Sequence, residues 1–130
     1  MNTRKGFTVI ELIVMIALLI VVGILAWSQI NNIEIARRDD KRRTAINAMY
    51  YNLEEVYYPT NKSYPRTIDE KILTAMDKEL FTDPSGAKLG TGKSTYRYEP
   101  TDCTDNACKG YSLRADLEAE SDYIKTNRNK

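Results

Sequence analysis

The side chains in this chain that could do chemistry are few. Histidine is absent, which removes the commonest general base and the commonest metal ligand near neutral pH. The two cysteines stand as Cys103-x-x-x-x-Cys108 in a turn-rich stretch. A tetrahedral metal site would need two more ligands of that kind, so the spacing favours a short disulfide, and with it an oxidising compartment. Asp83 lies in Asp83-Pro84-Ser85-Gly86, where an ordinary Asp-Pro turn is expected ahead of a calcium ligand. No nucleophile-base pair, metal cluster or phosphate loop is legible, so the expectation is a chain that is not an enzyme and carries no cofactor.

The unusual ionisable residue is Glu11. It is the only one in the run 7–27, which is otherwise apolar or small from Phe7 to Trp27. Twenty-one residues at ~1.5 Å rise each span ~30 Å, the thickness of a hydrocarbon core, so the run is expected to be a membrane helix. A secretory signal peptide would have a shorter apolar core ending in a small-residue cleavage site, and none stands near Trp27. A carboxylate at the centre of an isolated membrane helix costs about 2.5–3.5 kcal/mol on insertion scales. Either Glu11 snorkels to the headgroups from its place near the helix end, or a cationic partner neutralises it.

Met1-Asn2-Thr3-Arg4-Lys5-Gly6, followed by Phe7 and an apolar helix with Glu11 as the fifth residue after the glycine, resembles the precursors of the type IV pilin and pseudopilin family. The resemblance covers about the first third of the chain. It implies cleavage between Gly6 and Phe7 by a prepilin peptidase, methylation of the Phe7 amine, and polymerisation of the helices into a filament core. There the Glu11 carboxylate would pair with the Phe7 amine of a neighbouring subunit or of its own chain. The partners it implies are further copies of the chain, the peptidase and methylase, an inner-membrane platform with its assembly ATPase, and membrane lipid before assembly.

The elements that must position these residues follow from the rest of the chain. Its 130 residues leave room for the membrane helix and one small domain, whose core would be marginal without a staple. The net charge of +1, from 19 basic and 18 acidic residues, creates no global field for an acidic partner. The basic residues Arg37, Arg38, Lys41, Arg42 and Arg43 beyond the helix outnumber Arg4 and Lys5 before it. Charge counting would therefore put the domain inside. The cysteine pair and the family resemblance favour the opposite topology, with the domain outside.

The charges of 31–43 would surround a helix and read as a solvated face, or as intersubunit salt bridges. DNA binding there lacks the interleaved aromatics of a stacking platform. Ile46, Met49, Tyr50, Leu53, Val56 and Tyr57 recur at three- and four-residue steps, one apolar stripe on a helix that Pro59 should end. A short helix is expected over Ile68, Ile72, Leu73, Met76 and Leu80, capped by Thr67 with Glu70. Tyr96-Arg97-Tyr98 and the alternating stretch from Tyr111 to Leu117 should pair as an antiparallel hairpin joined through Cys103 and Cys108. Asp122-Tyr123-Ile124 would add an edge strand before the polar 126–130 tail frays.

The fold expected is α+β: a leader at 1–6, a long helix at 7–58 with 7–30 in membrane or filament core, and an antiparallel-sheet head at 59–130. Three functions compete. The first is a structural subunit of a type IV pilus-like filament at the cell surface. The second is a pseudopilin of a secretion or DNA-uptake system. The third is a membrane-anchored domain that never polymerises, which leaves Gly6, Phe7 and Glu11 unexplained.

Overall fold

A computed structural model of the chain describes residues 6–129. The leader residues 1–5 lie outside the described residues, as does Lys130. The chain divides into two units, one ending at Glu34 and the other beginning at Ile35.

Helix α1, Val9–Tyr51, contributes to both. In the first unit it is built from strong helix formers and β-branched residues with no proline, and it continues unbroken through Gly23. Every residue of 6–34 is exposed. Among the described residues this is the one helix long and apolar enough to cross a membrane, a property that membrane spans and signal sequences share.

In the second unit α1 buries Asp39, Arg42, Ala45, Ile46 and Met49, the three- and four-residue spacing of one helix face. Its partner is a four-stranded antiparallel sheet. Strands β2 (Tyr96–Thr104) and β3 (Ala107–Ala115) form the hairpin. Strands β1 (Tyr64–Pro65) and β4 (Tyr123–Thr126) both pair antiparallel with β3. The core joins Ile46, Met49 and Leu53 of the helical segment to Tyr64, Leu73, Phe81, Tyr96, Tyr111, Leu113 and Ala115. The fold is thus α+β, a long N-terminal helix with a small antiparallel sheet.

Four expectations need correction. Pro59 does not end the helical path. α1 gives way to a π-helical turn, Asn52–Tyr57, followed by a short helix α2, Tyr58–Asn61, with proline in its first turn. The backbone stays helical through Pro59, and the chain leaves the helix only at Lys62, whose left-handed backbone (φ 53°) lets its N–H bond Tyr58 O at 2.8 Å. The same π turn changes the end of the expected stripe: Ile46, Met49 and Leu53 are in the core and Tyr50 packs on it, but Val56 is exposed while Asn52 and Glu54 are buried. The 68–80 segment is mostly turns. Asp69 Oδ1 accepts the N–H groups of Lys71 and Ile72 at 2.8 and 2.9 Å, a local bond that competes with helix. Only Lys78–Phe81 forms a 3₁₀ helix, started by Asp77, although Ile68, Ile72, Met76 and Leu80 still pack on the core. Finally, the tail does not fray at 127–129, where side chains and backbone bond Tyr111 and Glu54.

Cys103 and Cys108 face each other across the hairpin and are disulfide-bonded. Closing so short a loop stabilises by about 2 kcal/mol on the chain-entropy account. Replacing both cysteines by serine should lower the denaturant stability of the head by about that amount. Intact mass before and after reduction and alkylation should show two thiols released only by reductant.

Candidate functional site

The residues expected to carry function lie at the start of α1, and their local geometry is that of a helix cap. Thr8 precedes the first helical residue, and its Oγ1 accepts the Glu11 N–H at 3.3 Å. Glu11 Oε2 in return accepts from the Thr8 N–H at 3.4 Å and lies 3.5 Å from Thr8 Oγ1. Thr8-Val9-Ile10-Glu11 is therefore a capping box, in which two backbone donors left over at the helix start are satisfied reciprocally. Glu11 is thereby folded back toward the chain's own N-terminal end, and the negative charge complements the positive end of the helix dipole. Gly6 and Phe7 precede the helix as exposed, non-helical residues, and a side chain added at Gly6 would meet nothing within 4 Å. The backbone on both sides of the Gly6–Phe7 bond is thus non-helical and exposed. The Thr8-x-x-Glu11 spacing is that of a capping box and is legible in the sequence itself.

In the second unit the polar residues do structural work. Asp39 is buried and accepts the backbone N–H groups of Glu118 (2.9 and 3.0 Å) and Ala119 (2.9 Å), and the Arg42 Nη1 (2.7 Å). Arg42 Nη1 also reaches Glu118 Oε1 at 2.7 Å, and Arg38 grips the same carboxylate through two nitrogens at 2.7 and 2.6 Å. Arg43 pairs with Glu120. The reading of 31–43 as a wholly solvated face is thus corrected for Arg38, Asp39, Arg42 and Arg43. The segment after β3 crosses this part of the helix and supplies the opposite charges and the two backbone donors. The Arg38 and Arg42 guanidiniums hold the Glu118 carboxyl down at about 2. Burial alone would raise that of Asp39, but its backbone and Arg42 hydrogen bonds prevail and lower it.

Glu54 is the polar centre of the core, with no exposed side-chain surface. Its carboxylate accepts from Tyr111 Oη (2.8 Å), Tyr64 Oη (3.1 and 3.2 Å), the Arg128 N–H (3.2 Å) and Asn129 Nδ2 (3.2 Å). Burial first, and then the bond to this carboxylate, push the Tyr111 hydroxyl's pKa upward, so it stays a donor. Tyr58 stacks on Tyr64, Tyr64 meets Tyr111 edge-on and Tyr98 tilts against Tyr111, with ring centroids 4.9, 4.7 and 5.7 Å apart.

Asp83 is a closed hub. It accepts the N–H groups of Ser85 (2.8 Å), Ala87 (3.1 Å) and Thr95 (2.8 Å), together with the hydroxyls of Ser85 and Thr95. With both oxygens committed to five donors, the carboxylate is a turn-builder, and among the described residues no group of three or more carboxylates or thiols is placed to hold a metal ion.

Compared with models of known families, with curated proteins and with solved structures, the chain shows no match.

Burial alone would raise the Asp83 carboxyl, but the hydrogen bonds from Ser85, Thr95 and Ala87 outweigh it and bring its pKa to about 2. A pKa depressed in the folded state contributes stability that is complete above the unfolded value of about 3.9 and is lost as pH falls through the folded value. Head stability should therefore drop between about pH 4 and pH 2, with roughly 2 kcal/mol of the loss due to Asp83. In Asp83→Asn, an amide donor faces the Thr95 N–H. That variant should be less stable at pH 7 and show a flatter acid limb in urea titrations at a series of pH values.

Proposed function

We propose that this chain is a structural subunit of a type IV pilus-like filament, made as a membrane-anchored precursor and assembled through its N-terminal helix. The observation that carries the reading is Glu11. It is the only ionisable residue of 9–33, on a helix whose every apolar side chain there is exposed in the single chain. So long an apolar surface requires cover, first by lipid and then by the same surface of other copies.

In the assembled state the Gly6–Phe7 bond is cut, the Phe7 amine is the new N-terminus, and the Glu11 carboxylate is its partner in an apolar bundle. Two unit charges ~4 Å apart attract by ~4 kcal/mol at an effective dielectric of ~20, before desolvation is subtracted. A helix docked at the wrong axial offset would strand both charges, so the pair selects register. The capping box supports this role, because Thr8 turns the carboxylate toward the chain's N-terminal end. The head, stapled by the Cys103–Cys108 bond, faces the oxidising exterior, and the precursor lies in the cytoplasmic membrane.

Mass spectrometry of membrane and filament fractions should find Phe7 as the N-terminus, and Met1 retained in mature filaments would refute the processing. Glu11→Ala should insert, be cut after Gly6 and keep a folded head, yet yield few sheared filaments. Glu11→Gln keeps a capping-box acceptor but loses the charge, and it should fail in the same way. Normal assembly by the glutamine variant alone would reduce Glu11 to a helix cap, and normal assembly by both would restore the snorkelling reading. Immunogold labelling separates long surface fibres from an envelope-confined pseudopilin, and an absence of any polymer would favour the non-polymerising anchor.

A further inference from the structure

The apolar stripe of the helical segment is written for an unbroken α-helix, with Ile46, Met49, Leu53 and Val56 all on one face at 100° per residue. The π turn Asn52–Tyr57 breaks that pattern. Each residue of a wider turn advances by less than 100°, so Glu54 swings inward and Val56 outward, to 38% exposure. Taken locally this is unfavourable: π turns are rare and concentrate at functional places. Both amide atoms of buried Asn52 are without a hydrogen-bond partner among the described residues, and a valine is traded for a buried carboxylate.

Tyr64 and Tyr111 offset part of these costs, and 127–129 offsets the rest. The Arg128 N–H and Asn129 Nδ2 supply two of the donors that satisfy Glu54, and the Arg128 guanidinium pairs with the neighbouring Glu55. Asn127 seats the segment on β3: its Oδ1 accepts the Tyr111 N–H at 3.1 Å, and its own N–H reaches Tyr111 O at 3.3 Å. A glycine lies beneath the seat: a Cβ at Gly110 would come within 2.8 Å of Asn127 Oδ1 and of Thr101 Oγ1, so those side-chain ends would have to move.

We propose that 127–129 is a latch that holds the helix in its π register. When it lifts, the segment relaxes to continuous α-helix, turning Glu54 outward and Val56 into the core. The device decides which residues the helix presents on its outer face beside Tyr51 and Glu55, so anything that grips the latch from outside changes that surface. The inference does not depend on how the N-terminal helix assembles.

The test uses the full chain in detergent micelles carrying Val56→Cys, with the native disulfide left oxidised so that the introduced thiol alone reacts with a maleimide. Two latch lesions are compared: Gly110→Ala, which crowds out the Asn127 side chain, and Arg128→Pro with Asn129→Ala, which deletes both tail donors to Glu54. A parallel series carries Thr74→Cys, an exposed position away from the helix. The proposal expects modification at position 56 to slow by about tenfold or more in both lesions, as the buried state becomes dominant, with the rate at 74 unchanged. An unchanged rate at 56 would overturn it. So would faster labelling at 56, because the tail would then be holding the fold as a whole rather than the register of the helix.

Discussion

A carboxylate enclosed by phenols organises the head. Buried charge is tolerable only where its lone pairs are filled, and Glu54 fills them from three separated parts of the chain: Tyr64 on β1, Tyr111 on β3, and the 127–129 segment. Those contacts join the helix to the central strand, to the strand edge beside it and to the end of the chain. The π turn, the burial of Tyr111 and the glycine at 110 are each intelligible as consequences of giving that carboxylate a dry, fully bonded site.

The second constraint is the division of labour along α1. In 6–34 nothing is buried, and the apolar surface has no cover within its own unit. Beyond Ile35 the same helix becomes the spine of a core, and its charges are drawn into a clamp with the segment that follows β3, Asp39 taking two backbone donors and Arg42 bridging to Glu118. Arg42 meets two carboxylates, and Arg38 a bidentate one, which is the geometry that guanidinium favours. Charges that read as solvent-facing on a helical wheel are thus structural, while the hydrophobic half is the part left exposed in the single chain.

The small head is held by several short-range devices more than by a large core. Asp83 gathers five donors to fold the 82–95 loops, Asp69 and Asp77 each start a turn, and the disulfide closes the hairpin next to its tip. A unit of this size gains from such staples because its buried apolar area barely exceeds the entropy cost of ordering the chain.

The sequence by itself determined whatever rests on neighbours along the chain: the apolar helix from its unbroken composition, the hairpin from alternation at Tyr96-Arg97-Tyr98 and after Tyr111, and the cysteine bridge from its short spacing. The capping box at Thr8 and Glu11 was equally local and equally legible. Only the tertiary structure decided the fate of Asp39, Arg42, Glu54 and the tail, because each has hydrogen-bond partners far along the chain: Ala119 for Asp39, Glu118 for Arg42, and Tyr111 and the tail for Glu54. Periodicity assigned Val56 to the core on the assumption of a constant 100° per residue. One wider turn, stabilised by those distant donors, rotated the face and put a glutamate where the valine was expected.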